Sequence, residues 1–132
     1  MLQWKTEYSV KIDSIDGQHQ DLFRAANELR EAVVAGTGKA ALAKMLDRLI
    51  EDTTAHFADE ERLMADNGYP DFASHKAEHD KLTKQVLQFR RDFGEGRIGV
   101  TFLMVLLGQW LANHIVDADQ ACGSYLRDKG IA

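Results

Sequence analysis

The sequence predicts an all-α protein, an up-down-up-down four-helix bundle with an extended N-terminal arm and a short C-terminal helix. Over long segments, apolar residues recur at alternating steps of four and three residues, which is the spacing of the inward face of a bundle helix. Short glycine-containing breaks separate these segments, so consecutive helices are expected to run antiparallel. The chain also has a single proline and few runs of β-branched residues, and both features favour helix over strand.

Each element follows from this pattern in turn. The arm is predicted to occupy about the first 15 residues, with Trp4 and Ile12 available to cover the bundle. Pro70 is placed in the first turn of the third helix, where its missing N–H does no harm. The glycine-containing breaks then predict four helices and a helical tail over residues 18–35, 39–66, 70–93, 100–117 and 118–129.

The length and charge of the chain restrict its class and its partners. A chain of 132 residues fits a single domain, predicted to span residues 1–132. The formal net charge of −5, without a Lys/Arg cluster, argues against nucleic acid as a partner. No apolar stretch is long enough to cross a membrane or to act as a signal peptide, and a lone cysteine cannot form an internal disulfide. We therefore expect a cytoplasmic protein that does not bind membranes.

The predicted inward faces contain every histidine of the chain and two carboxylates close by in sequence. Buried charges are costly unless they are paired or bind a metal ion. A single histidine in a core is usually a hydrogen-bonded structural residue, but the joint occurrence over four helices favours a metal site. The seven candidate ligands are His19, His56, Glu60, His75, His79, His114 and Asp119.

The positions of these residues relative to the turns predict that they meet. Antiparallel helices bring residues to the same height when they are equidistant from the connecting turn. His19 and His56 are equidistant from Thr37, and Glu60 and His75 are equidistant from the break at residues 67–68. Applied to all seven side chains, this rule predicts two levels about 6 Å apart, from the helical rise over four residues. Such a separation suits a dinuclear metal site.

The spacing within the fourth helix does not decide which of two carboxylates is the seventh ligand. The carboxylate of Asp119 lies five residues after His114, and an ideal α-helix turns such a residue away by roughly 140°. Asp117, three residues after His114, is therefore a rival ligand on spacing alone. A His-x-x-x-His pair by itself would also suit a single zinc ion.

As a set, the motifs resemble the hemerythrin family, specifically its single-domain bacterial members, and the resemblance covers essentially the whole chain. The matching motifs are Gln18-His19-Gln20, His56-x-x-x-Glu60, His75-x-x-x-His79 and His114-x-x-x-x-Asp119. The resemblance implies a bundle that holds two non-haem iron ions. One iron would be bound by His75, His79 and His114, and the other by His19 and His56. Two carboxylates would bridge them together with an oxo or hydroxo group, and the resemblance selects Asp119 over Asp117 as the partner of Glu60.

The resemblance also implies an apolar oxygen pocket. Its counterparts in this sequence are Leu22, Phe57, Trp110, Leu111 and Ile115. Each of these side chains would equally suit ordinary core packing.

The implied ligand set favours binding over oxidation. Five histidines, two bridging carboxylates and one bridging hydroxide fill all but one position of two octahedral ions. Transfer of two electrons and the bridge's proton to dioxygen would leave the net charge of the site unchanged, which keeps binding reversible in a low-dielectric core. We therefore expect a binding protein and not an enzyme. It would bind dioxygen for storage or for delivery to an oxygen-using enzyme.

Other functions remain open at this stage. The one coordination position that these ligands leave unfilled would also suit nitric oxide or small anions. An enzyme that reduces nitric oxide or peroxide is therefore one alternative. An oxygen or redox sensor is another, which gains support if the chain is a fragment of a larger receptor. Iron storage is a third, and it predicts many irons per chain.

The bridging role predicted for Asp119 is testable against its rival. Asp119→Ala should lose one or both irons and lower stability, because buried imidazoles would be left facing one another. Asp117→Ala is the matched control and should retain both irons. An iron count after desalting measures the difference, and two tightly bound irons in the Asp119 variant would contradict the bridging role.

Overall fold

The fold is described from a computed structural model, which covers residues 8–113 and 120–131. Within these residues the chain forms helices and no strands. The helices are α1 (Asp13–Val34), α2 (Lys39–Asp66), α3 (Phe72–Gly94), α4 (Val100–Asn113) and α5 (Gln120–Asp128). The predicted all-α class is confirmed, and α2 has the bounds that the glycine-containing breaks predict.

Helix α1 begins earlier than predicted. It starts at Asp13 instead of near residue 18, so the arm that precedes it is shorter than expected. The reason is local: the Asp16 carboxylate accepts hydrogen bonds from the Ser9 hydroxyl at 2.5 Å and from the Val10 amide at 2.9 Å. Acidic residues in the first turn also interact favourably with the helix dipole. Residues before the first apolar stripe are thereby drawn into the helix.

The prediction for Pro70 is wrong. This residue lies in the turn before α3, which begins at Phe72. The Phe72 amide bonds to the Tyr69 carbonyl at 3.2 Å, so the turn closes over the proline, and helical bonding starts with His75 N–H to Asp71 O at 2.9 Å. Gly68, at φ 64°, provides the left-handed residue that ends α2.

The four long helices pack as neighbours around a central core. Contacts join α1 to α2, α2 to α3, α3 to α4 and α4 back to α1, as the predicted up-down-up-down order requires. The main apolar core is built from side chains that share the inward stripes of these helices. Its fully buried members include Leu29, Leu46, Leu82, Val86, Phe93, Leu103 and Leu107.

A second, smaller apolar cluster closes one end of the bundle. Here the arm and α5 cover the turn between α2 and α3, and the buried members are Val10, Ile12, Ile15, Met64, Tyr69, Cys122 and Leu126. The Arg127 guanidinium donates to the Val10 carbonyl. A Cβ on Gly123 would lie 2.6 Å from Val10 Cβ, so the close contact between α5 and the arm needs a glycine. The predicted covering role of Ile12 is confirmed, whereas Trp4 lies outside the described residues.

The C-terminal part is described only in part. The helix predicted over residues 100–117 is seen from Val100 to Asn113, and residues 114–119 lie outside the described part of the chain. The predicted tail corresponds to α5, Gln120–Asp128. Among the described helices, none combines the length and the apolar character needed to cross a membrane.

Candidate metal centre

Three helices bring five of the predicted ligands together. They are contributed by α1 (His19), α2 (His56 and Glu60) and α3 (His75 and His79), and each side chain is at most 5% exposed. The i,i+4 spacing places both members of the α2 pair, and both of the α3 pair, on the inward face. Because His19 lies in the second turn of α1 and His75 in the first turn of α3, the cluster sits near the end of the bundle that the arm and α5 cover.

The Glu60 carboxylate is the centre of the cluster. Its Oε1 contacts His56 Nε2 and lies 3.5 Å from His19 Nε2. Its Oε2 lies 3.4 Å from His75 Nε2 and 3.6 Å from His79 Nε2. One carboxylate therefore faces two pairs of imidazoles, with one oxygen toward each pair.

These distances fit a pair of bound cations. Ligands about 2.1 Å from an octahedral ion lie about 3 Å from one another. The Nε2 atoms of His19 and His56 are 2.9 Å apart. The ligand atoms of His19, His56 and Glu60 all lie within 4.8 Å of one another, and so do those of Glu60, His75 and His79. Imidazole and carboxylate together suit iron, zinc and similar transition metals.

The outward nitrogen of His56 has a defined partner. His56 Nδ1 lies 2.6 Å from Gln18 Oε1, and Gln18 Nε2 donates to Asp59 Oδ2 at 2.8 Å. A carboxylate only accepts hydrogen bonds, so the amide nitrogen of Gln18 faces Asp59 and its carbonyl oxygen faces the imidazole. The proton of neutral His56 is thereby held on Nδ1, and the Nε2 lone pair is directed to the interior of the cluster.

The outward nitrogen of His79 has a different kind of partner. His79 Nδ1 lies 3.0 Å from Glu61 Oε2, and Glu61 Oε1 is 3.4 Å from Lys76 Nζ. The pKa of Lys76 is raised, chiefly by its hydrogen bond to Asp80 and further by the charges of Glu61 and Asp80. The arrangement of carboxylate, histidine and inward-facing Nε2 is the usual support for a metal-binding imidazole.

Four of the residues predicted to form the oxygen pocket are buried in the main core. They are Leu22, Phe57, Trp110 and Leu111. Phe57 stacks on the His79 ring, with centroids 4.0 Å apart and planes at 7°. The indole N–H of Trp110 donates to the Leu82 carbonyl at 2.9 Å, so the apolar part of its ring can face the core. Whether these side chains line a ligand pocket stays a prediction.

A surface groove of about 660 Å³ runs between α1 and α2. Its walls carry acidic and basic side chains, including Asp21, Arg24 and Arg48, and its lining also includes Gln18, Leu22 and His56. Of the histidines in the cluster, His56 is the one that reaches this groove.

Three predicted site residues fall outside the described part of the chain. They are His114, Ile115 and Asp119. The fifth histidine, the second bridging carboxylate and one pocket residue thus remain predictions from the sequence, and so does the choice between Asp119 and Asp117.

Gln18, Asp59 and Glu61 have site contacts that the sequence did not predict. Gln18 was noted only as part of a motif. One signal was available, because a metal-bound histidine usually donates its second N–H to a carbonyl or a carboxylate. Adjacent residues on a helix point about 100° apart, so the sequence alone does not say which polar neighbour reaches across to another helix.

Comparison with known proteins agrees with this geometry. The family model described as "Hemerythrin HHE cation binding domain" matches residues 10–122. The chain belongs to the hemerythrin family. A bacteriohemerythrin of Stenotrophomonas maltophilia (strain R551-3) is 36% identical over 121 residues, 92% of this chain and 78% of the relative. A bacteriohemerythrin of Methylococcus capsulatus (strain ATCC 33009 / NCIMB 11132 / Bath) is 34% identical over 128 residues, 96% of this chain and 97% of the relative.

Solved hemerythrin structures share the fold. A crystal structure of wild-type hemerythrin superposes with a TM-score of 0.84 at 35% sequence identity, covering 96% of this chain and 98% of the other. The prediction of a hemerythrin-like bundle is confirmed, and the name of the matching domain agrees with a cluster that can hold cations.

The central position of Glu60 leads to a prediction. Glu60→Ala should abolish tight metal binding, because it removes the only described carboxylate common to both donor groups and leaves like-charged cations without their shared counter-ion. Metal content after desalting, and the melting temperature with and without added metal, measure the loss. Glu51→Ala, an exposed change on the same helix, is the control. Equal metal content in the two variants would contradict the central role of Glu60.

Proposed function

We propose that this hemerythrin-family protein binds dioxygen reversibly at a pair of bridged iron ions. The observation that supports it most directly is the Glu60 carboxylate, which presents one oxygen to His19 and His56 and the other to His75 and His79. The names of the relatives, hemerythrin and bacteriohemerythrin, point to the same function. They are not names of enzymes, which favours a binding protein.

The proposed ligand set combines described and undescribed residues. His19 and His56 would hold one iron, while His75, His79 and His114 would hold the other. Glu60 and Asp119 would bridge the two, together with an oxo or hydroxo group. Because two histidines would hold the first iron and three would hold the second, an external ligand would bind at the first iron.

The role proposed for the protein is to admit dioxygen to the iron pair and to shield the iron pair from water and protons. When bound, the iron pair supplies the two electrons that reversible oxygen binding requires. Phe57, Trp110 and Leu111 are buried next to the cluster or in the adjoining core, and apolar side chains there would limit the access of water and protons. Shielding from proton donors by these side chains would favour reversible binding over irreversible oxidation of the iron.

Storage, or delivery to an oxygen-using enzyme, is the physiological role that we propose. Nitric oxide and small anions are the expected competitors for the same position. Cytoplasmic location and the absence of nucleic-acid partners stay predictions from the sequence.

The proposal is tested by an oxygen cycle on iron-loaded protein. Two irons per chain are expected, with a ligand-to-metal charge-transfer absorption band. This band should appear in air and disappear under vacuum over repeated cycles. A single iron per chain, or a colour change that vacuum does not reverse, would contradict the proposal. Fast catalytic consumption of nitric oxide or peroxide by the same sample would favour the enzyme alternative.

Leu111 offers a test of the apolar pocket. Leu111→Ala should admit water and hasten autoxidation of the oxygenated protein, whereas Leu103→Ala should not. Both residues are fully buried in α4, so each variant should lose about 2–5 kcal/mol of stability, and only the autoxidation rate separates them. The decay of the oxygenated spectrum measures that rate, and an unchanged rate in the Leu111 variant would remove this residue from the pocket.

A further inference from the structure

We infer that Gln18 is a positioning residue that fixes the orientation and tautomer of His56 and thereby controls how readily the iron next to His56 is released. Gln18, held by Asp59, presents a neutral amide oxygen to His56, whereas Glu61 presents a carboxylate to His79. The inference rests on the proposed function, since it concerns the irons that these two histidines would bind.

The geometry around Gln18 allows only one arrangement of protons. The chain of contacts runs from His56 Nδ1 to Gln18 Oε1 at 2.6 Å, and from Gln18 Nε2 to Asp59 Oδ2 at 2.8 Å. Reversing the amide would place its oxygen against a carboxylate and its N–H₂ group against an imidazole that must keep its proton on Nδ1 to bind metal through Nε2. The amide therefore fixes both the ring orientation and the tautomer of His56 across the interface between α1 and α2.

The contact of His79 differs in charge. Glu61 Oε2 lies 3.0 Å from His79 Nδ1, and a carboxylate in this position accepts a stronger, charge-assisted hydrogen bond than a neutral carbonyl does. The stacked Phe57 ring on one face of His79 further limits rotation of this ligand. The orientation of His79 should therefore be held more firmly than that of His56, and the iron next to His79 should be released more slowly.

The neutral hydrogen-bond partner belongs to His56, a ligand of the iron at which the external ligand would bind. Gln18 lines the groove between α1 and α2 and is only partly buried, so the link from His56 to Asp59 runs along the solvent side of the cluster. We expect the iron next to His56 to exchange more readily than its neighbour, and Gln18 to control how readily it does so.

The test is the release of iron from reduced, iron-loaded protein to an excess of a ferrous chelator without oxygen. Wild-type protein should release two irons in two phases. Gln18→Leu should accelerate the faster phase about 10- to 100-fold and leave the slower one unchanged, and Glu61→Gln should accelerate the slower phase. Gln20→Leu, an exposed glutamine two residues along the same helix, should change neither phase.

A rescue separates positioning from general loosening of the bundle. The double variant Gln18→Glu/Asp59→Asn exchanges the amide and the carboxylate but keeps both hydrogen bonds, so the faster phase should return to the wild-type rate or become slower. Gln18→Glu alone places two carboxylates side by side and should not restore the wild-type rate of the faster phase. Asp59→Ala, which leaves the amide without its anchor, should give an intermediate rate if Gln18→Leu fails to fold.

The outcomes distinguish this inference from the proposed function. Two irons released in a single phase, equal acceleration of both phases by Gln18→Leu, or a double variant as fast as Gln18→Leu would each overturn the inference. Wild-type protein that contains fewer than two irons before the chelator is added would contradict the proposed function itself.

Discussion

The buried carboxylate of Glu60 is the constraint on which the rest of the structure depends. It is 1% exposed and surrounded by four imidazoles. A charge in such a place costs several kcal/mol unless opposite charge compensates it. Cations shared between the two imidazole pairs would provide that compensation, and they would also tie α1, α2 and α3 to one another.

The bundle separates the tasks of stability and chemistry along its length. The half that contains Leu46, Leu82 and Leu103 is mainly apolar, and the hydroxyl of its buried Thr53 donates to the Leu49 carbonyl. This half can stabilise the fold by burial. The polar cluster lies toward the other end, beneath the cap formed by the arm and α5. Four helices held together at one end can tolerate unfavourable buried groups at the other, which is the arrangement that a metal site in a small protein needs.

Much of the fold and the inner part of the site could be predicted, because both depend on helical periodicity. The glycine-containing breaks predicted the bounds of α2, and its apolar periodicity placed His56 and Glu60 on the inward face. Equal distance from the turns correctly predicted that His19 lies near His56 and Glu60 near His75. The start of α1 and the place of Pro70 were wrong because side-chain and turn hydrogen bonds decide them locally. The outer contacts of Gln18 and Glu61 depend on how the helices are rotated against each other, which no periodicity encodes.

The contact between the arm and α5 has a consequence for how the chain could be reconnected. Val10 accepts a hydrogen bond from Arg127, so the first and last described segments of the chain lie at the same end of the bundle. The α1–α2 loop, with Gly36 at a positive φ of 77°, lies at the opposite end, away from the histidines. A circular permutant in which a linker joins α5 to residue 8, with new termini in that loop, would keep every described contact of the site, because these contacts depend on helix packing and not on chain order.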